Sequence, residues 1–443
     1  MEPRQDASCG VEDARLVTET VRLAETSLVD VLRADFRAHA VWSAPGEPSL
    51  VGCGAAASVT ASGPGELDAV RERVESVFAD APASDAPAVA RPRVLGGMAF
   101  HDGHRESPPW SGFPGVAFVL PHVQFAVAED ATYLTVNEFG PEADAGSARR
   151  TMARVRESVE AVDAASVSVD PPGIVAEHPT TTRAAWREAV ADATARIAAG
   201  DLEKVVLAQA LDAELGDSFD LVSAMTRIER GHPECFRFAF RANDGGAFFG
   251  PSPERLVSRR GGRVETGALA ATVSRGDTAA EDAELERELR SSEKLVYEHE
   301  VVEDSIREQL APVARNVRSG DRRVKKLASV QHLFTPIAAD TDRHVLELVD
   351  ALHPTPAVGG RPPDAALETI REAEAFDRGW YAAPVGWFDA DGDGTFAVAI
   401  RSALARDRDA HLYAGAGIVA DSDADAEWDE IQLKFDSVRA HLS

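Results

Sequence analysis

Apolar and polar positions alternate weakly in the first third of the chain and sharply in the rest. Helical spacing marks "LDAVRERVESVFAD" (67–80), and strand character marks "RVLGGMAF" (93–100) and "ATYLTVNEF" (131–139). The apolar run "GVAFVLPHVQFAVA" (115–128) is broken by Pro121, His122 and Gln124, so it reads as strands rather than a membrane span. Residues 1–10 read as a frayed end, 81–92 as an Ala/Pro-rich loop and 168–183 as a polar connector. Past that connector, "AAWREAVADATARIAAG" (184–200) predicts a helix ending on Gly200, a residue suited to a left-handed cap. Strands follow at 204–211, 235–242, 246–257 and 262–273. A single long helix is then expected over 279–315, with Leu295, Val302, Ile306 and Leu310 as its apolar stripe. Two hairpin strands, "PVGWF" and "TFAVAIRSAL", precede "AHLYAGAGIV", and a helix over 425–442 closes the chain. Strands clustered between helices without regular βαβ alternation predict an α+β fold on a largely antiparallel sheet.

Composition narrows the function classes. With 74 acidic against 46 basic residues the net charge is −28, which repels nucleic acid at low ionic strength. At molar salt the Debye length is about 3 Å and such self-repulsion largely vanishes, so the surface is expected to be an adaptation to a salty cytoplasm. Only five basic residues are lysines, which makes each lysine a candidate for a role that arginine cannot fill. The three cysteines (Cys9, Cys53, Cys235) suit neither a disulfide framework nor a metal cluster. No signal peptide is visible, and the expected location is the cytoplasm.

In "FDADGDGTF" (388–396), Asp389, Asp391, Asp393 and Gly394 stand at calcium-loop spacing, but Ile400 occupies the place of the bidentate Glu. The stretch reads as an acidic hairpin turn. In "YAGAGIV" (413–419), Gly415 and Gly417 either make a plain turn or let backbone N–H groups approach an anion.

The two late helices carry more. At 100° per residue from Leu295, Glu298 falls at about −60°, beside the apolar stripe, whereas Glu293, Glu300 and Asp304 face away at about 140° to 180°. Glu303 lies between these classes. On the closing helix Glu427, Glu430 and Lys434 line one flank of the stripe Trp428, Ile431, Phe435, Val438 and Leu442. Two helices turning carboxylates toward a core can hold one hard cation, and an ordinary Glu430–Lys434 surface pair is the alternative.

The ordered run "KVVLAQA", "FGPSPERLV", "SSEKLVYEHEVV", "VQHLFTPI", "LHPTPAVGG", "FDRGWYAAPVGW", "AIRSAL", "YAGAGIV" and "EWDEIQLK" resembles the chorismate-utilising enzymes. It covers residues 180–443, the expected chorismate-binding catalytic region. Residues 1–165 match loosely, mainly at "LGGMAF", as the variable N-terminal part. The resemblance implies one large fold with an antiparallel β-sandwich core flanked by helices.

It also implies roles. Lys204 heads "KVVLA" as the base that activates water, and Glu254 of "SPE" is the acid that protonates the departing hydroxyl. Glu298 and Glu430 are the implied Mg²⁺ ligands, with Glu427 in support. Arg401 clamps a substrate carboxylate, helped by Lys434 and the backbone around Gly415, Ala416 and Gly417; Thr272 and Ala357 are further implied contacts. A lysine base must shed its proton, which burial beside Arg401 and a divalent ion favours. Members using ammonia resemble this chain less: they carry Gln at the Lys204 position, or a nucleophilic Lys where Ala270 stands. Salicylate synthases share the Lys but differ around "HLFTPI" and "HPTPAVGG". The expected activity is therefore isochorismate synthase on chorismate, without an obligatory amidotransferase subunit, nucleic acid or membrane. The chain is expected to be a monomer or weak dimer serving menaquinone rather than siderophore synthesis. Two departures stand out: Gln209 replaces a common Arg, and Ala271 replaces a Gly.

Overall fold

The computed structural model describes residues 14–443 apart from 25, 35, 80–85, 163–168 and 327–329. Residues 1–10, expected to be frayed, lie outside that range, as do Cys9 and parts of the loop at 81–92 and the connector at 168–183. Among the described residues no helix is long and apolar enough to cross a membrane.

Two antiparallel sheets form the frame. The 12-stranded sheet runs Arg15–Leu23, Thr132–Gly140, Val123–Val127, Ser49–Cys53, Ala38–Ser43, Phe236–Arg241, Ala247–Ser252, Ala403–Arg406, Asp409–Ile418, Lys204–Leu215 and Gly360–Arg361, with Ile174–Pro179 also on Lys204–Leu215. The 10-stranded sheet runs Arg315–Ser319, Val330–Asp340, Arg263–Ser274, Arg255–Arg260, Gly394–Val398, Pro384–Phe388, Val94–Met98, Val116–Leu120 and Ala57–Ala61, with Arg323–Lys326 on Val330–Asp340. In each sheet the strands from before residue 165 form one contiguous block, which joins the block from after residue 180 at a single seam: Ala38–Ser43 on Phe236–Arg241 in the first sheet, Val94–Met98 on Pro384–Phe388 in the second. One continuous apolar cluster joins them. At its centre Trp110 stacks on Tyr413 at 5.5 Å and meets the edge of Phe248 at 5.2 Å, the offset geometries that aromatic rings prefer.

The α+β expectation stands, and three elements differ in ways that matter to the site. The long helix is two: Ala279–Ser291 and Glu293–Leu310. Ser292 ends the first with extended backbone and caps the second, its hydroxyl accepting from the Leu295 N–H. The run 246–257 also splits, because Pro253 has no N–H to donate to a ladder. Ala247–Ser252 stays in one sheet, and Arg255–Arg260 pairs into the other. "TFAVAIRSAL" divides likewise into Gly394–Val398 and Ala403–Arg406, one in each sheet. The acidic stretch at 389–393 is a hairpin turn, with the Asp389 carboxylate accepting from the N–H groups of Asp391 and Asp393.

Candidate active site

Glu254 and Arg401 sit on the two neighbouring segments where the chain crosses from one sheet to the other. The crossings are tied together: the Val398 N–H donates to the Glu254 carbonyl at 3.1 Å, and the Ser252 hydroxyl donates to the Val398 carbonyl at 2.5 Å. The Ser252 oxygen in turn accepts from the Glu254 N–H. Arg401 adopts φ +54°, a left-handed conformation that non-glycine residues enter at a cost, held here by the packed strands on either side.

Glu254 is 8% exposed as a residue, and burial pushes its carboxyl pKa up to about 7. The positive charges of Lys325, Lys204 and Arg401 oppose that rise without cancelling it. A carboxyl poised there holds a proton near neutrality, as a general acid must. Burial also lowers the Arg401 pKa, while Cys235, Glu234 and Glu254 partly offset this. His232, Glu234 and Cys235 offer ligand atoms within 4.8 Å of one another. Arg401 lies beside all three, and burial pushes the Cys235 thiol up to about 11. A neutral thiol next to a guanidinium is a poor cation site, and these groups serve as the near environment of Arg401.

Lys204 begins the strand Lys204–Leu215, between the Gly360–Arg361 strand and Asp409–Ile418. The "YAGAGIV" glycines are therefore neither a turn nor a helix-end nest but part of a strand. A Cβ on Gly417 would stand 2.8 Å from Lys204 Cε, so the missing side chain is what admits the lysine. Ala416, between the two glycines, points the opposite way and is fully buried in the core, leaving only its backbone on the site face. Gly360 has φ +145°, and a Cβ there would collide with the Lys204 carbonyl at 2.3 Å. This fixes "HPTPAVGG" against the lysine strand; Ala357 lies in that loop, half-buried on the core.

A buried ion pair locks the same strand from behind. Arg378 donates to Glu374 and to the carbonyls of Val358 and Val206, while Glu374 accepts from the Ala208 N–H. Nothing in the residue spacing had singled out this pair.

The carboxylates cluster on the helix side. Lys204 Nζ lies 3.3 Å from Glu298, and Lys434 reaches Glu430 at 2.7 Å and the Gly415 carbonyl at 2.7 Å. The outward carboxylates behave as the helical angles predict: Glu300 and Asp304 pair with Arg322 and Arg307 at the surface. Glu427 has its pKa raised by burial and by the negative charges of Glu430 and Glu298, with the Ser422 hydroxyl and Lys434 in opposition. Glu298, Glu427 and Glu430 form an oxygen-rich set of three carboxylates from two helices. That set suits a hard divalent cation of the Mg²⁺ type. Glu298 and Glu430 are each committed to a lysine here, so ion binding has to compete with two ammonium groups.

His332 is a member that sequence reasoning quoted in "VQHLFTPI" without giving it a role. It stands opposite Thr272 in the ladder, and its Nδ1 lies 2.9 Å from the Thr272 hydroxyl. Burial, then Arg401, Lys434 and Lys325, push its pKa down to about 3, so the ring is neutral. Its buried Nε2 has no hydrogen-bond partner among the described residues. The signal available was a histidine in an otherwise apolar strand beside Thr272. Ala271, in the adjoining bulge, has φ +58°, which explains why glycine suits that position.

The profile of the chorismate binding enzymes matches residues 5–443. A Pseudomonas aeruginosa "salicylate biosynthesis isochorismate synthase" is 44% identical over 219 residues, 49% of this chain and 46% of that protein. The Bacillus subtilis "isochorismate synthase MenF" is 34% identical over 317 residues, 69% of this chain and 65% of its own length. The chain thus spans about half to two thirds of these curated relatives. Among solved structures, the menaquinone-specific isochorismate synthase MenF from Escherichia coli superposes with a TM-score of 0.82 at 26% identity, covering 97% of this chain and 95% of that one. Since the profile takes in both sheets and every element of the site, the protein belongs to the chorismate-binding enzymes.

Proposed function

We propose that the protein is an isochorismate synthase, converting chorismate reversibly to isochorismate with Mg²⁺. The observation that carries this is the dry Glu254 carboxyl, poised near neutrality and facing both Lys204 and Arg401. Lys204 must first give up the proton with which it pairs to Glu298; as the neutral amine it takes a proton from water while the water oxygen bonds to C2 of the ring. Both ring double bonds shift in this 1,5-displacement, the C4–O bond breaks, and Glu254 gives its proton to the departing hydroxyl. One water enters and one leaves, so the product is an isomer of the substrate. Arg401 forms a bidentate clamp on a substrate carboxylate, and Lys434 steadies the strand that faces it. The His332 Nε2 is free to hydrogen-bond the substrate beside Thr272. Glu298 and Glu430 are the proposed metal ligands, with Glu427 behind them; the ion, when bound, neutralises the ring carboxylate.

Water rather than ammonia is favoured because a buried alanine, Ala270, stands where a lysine nucleophile would be needed. No amidotransferase subunit is then required. The names of the relatives support the isochorismate reaction, and the near-complete overlap with MenF favours the menaquinone branch. The acidic, lysine-poor surface supports work in a salty cytoplasm. The test is product analysis at molar salt with chorismate and Mg²⁺, and with Mg²⁺ omitted as the control. Isochorismate formed only with the ion is expected. Salicylate plus pyruvate, or a product that requires ammonia, overturns the assignment.

A further inference from the structure

Five lysines remain in this arginine-rich chain, and four have partners that account for them. Lys204 meets Glu298, Lys434 meets Glu430, Lys294 pairs with Asp421, and Lys326 pairs with Asp282 and Glu286. Lys325 differs: among the described residues it has no carboxylate partner. Its Nζ donates 2.8 Å to the carbonyl of Pro253, the peptide that leads into Glu254.

Register explains how it reaches that carbonyl. Lys325 lies on the short edge strand Arg323–Lys326, directly opposite His332, and His332 lies opposite Thr272 one strand further in. Residues opposite one another across antiparallel strands share a face. Thr272, His332 and Lys325 therefore form one row across three strands, ending on the acid's crossing. The aliphatic stem runs over Phe334, with Nζ 5.8 Å from the ring centroid. Burial lowers the pKa of Lys325 itself; the charged groups facing it are Arg255, Glu254 and Glu234, with the neutral Cys235 thiol beside them, and those facing Glu254 are Lys325, Lys204 and Arg401. Of the three cations around Glu254, Lys325 acts on it most strongly.

We propose that Lys325 is a positioning residue for the acid, holding the Ser252–Pro253–Glu254 crossing by its carbonyl and keeping a fixed positive charge beside the carboxyl. An ammonium concentrates its charge on a single carbonyl, whereas arginine supplies the same charge through a planar fork with more donors than this carbonyl uses. Without the charge, Glu254 keeps its proton to higher pH.

Two readouts test this, and only the first rests on the reaction proposed above. In kinetics, Lys325→Met is expected to move the alkaline limb of the kcat profile upward by roughly half a pH unit, the size expected of one nearby screened charge. It should lower kcat several-fold with KM little changed, and Lys325→Arg should return the limb to its original position. In the second readout, unfolding stability is compared between the parent and Glu254→Gln across pH, with Lys325 and then with Met or Gln at 325. The pH window over which the two proteins diverge should extend upward when the lysine is gone. An unmoved limb and an unmoved window in Lys325→Met and Lys325→Gln overturn the proposal. So does a Lys325→Arg profile that matches Lys325→Met. If Glu254→Gln keeps full turnover, the reaction assignment fails instead, while the stability window still decides what Lys325 does.

Discussion

The two sides of the site are built on different terms. On the strand side, Glu254 and Arg401 hang from crossings that both sheets fix, His332 and Thr272 stand on paired strands of the 10-stranded sheet, and burial shifts the proton affinities of the acid, the guanidinium and the imidazole. On the helix side, Glu298, Glu427, Glu430 and Lys434 project from two helices, are half-exposed and are held mainly by ion pairs. Proton transfer needs a shifted pKa, and only a dry, rigid setting supplies one. Cation binding needs negative charge that can exchange partners, and only a wetter, adjustable setting allows that.

The largest expected effect lies on the strand side. Glu254→Gln should lower kcat by about 10²- to 10⁴-fold, the usual worth of a positioned acid. The same change should stabilise the fold, and the sign follows from linkage. The carboxyl's folded pKa of about 7 exceeds its ordinary 4.5. Below about pH 4.5 both states are protonated and burial carries no ionic cost. Between those values the unfolded chain ionises while the folded one does not, and stability falls as pH rises. Above pH 7 the deficit is full, at roughly 3 kcal/mol for a shift of about 2.5 units. Denaturant unfolding of parent and variant should therefore coincide near pH 4 and diverge by up to that amount above pH 7. A pH-independent difference would break the contrast drawn here.

On the helix side the effect should be smaller and recoverable. Glu427→Gln should weaken Mg²⁺ affinity by about 10- to 100-fold, as loss of a supporting group does, with kcat restored at high Mg²⁺. Calorimetric titration with the ion alone reads this without turnover. Glu300→Gln, on the outward face of the same helix pair, serves as the control and should change neither affinity nor rate. Loss of rate that excess ion does not restore would mean that Glu427 belongs with the rigid side.

The smallest effect sits between the two sides. Ala271→Gly relieves a left-handed alanine and should stabilise the fold by about 1 kcal/mol or less, since glycine's greater unfolded freedom offsets part of the relief. Thermal unfolding measures it, and a lower midpoint would show that the bulge is unstrained.

The legibility of the sequence divided along the same line. Helix-side residues could be placed by rotation alone, because 100° per residue puts Glu298 inward and Glu300 outward without knowledge of any neighbour. Apart from the helix expected over 279–315, which is two, the expected helices and most strands appeared within a few residues of their predicted ends. What could not be read were features created by residues far apart in the chain. The splitting of 246–257 between two sheets depends on which strands flank it, and Pro253 marks only that something ends there. The Glu374–Arg378 pair looks like an ordinary i, i+4 surface pair until strand Lys204–Leu215 covers it. Lys325 was flagged by its rarity alone, and its place opposite His332 required the register.

The seam in each sheet between early and late strands has a consequence for how the protein is made. Val94–Met98 finds its partner in Pro384–Phe388, and Ala38–Ser43 pairs with Phe236–Arg241. A nascent chain therefore emerges with strand edges whose partners have not been synthesised, and neither sheet can close until nearly the whole chain has left the ribosome. Such long-range pairing slows folding and leaves apolar strands uncovered meanwhile. Where the ionic strength is low enough to leave charge unscreened, the acidic groups also keep one unfinished chain from another over that interval.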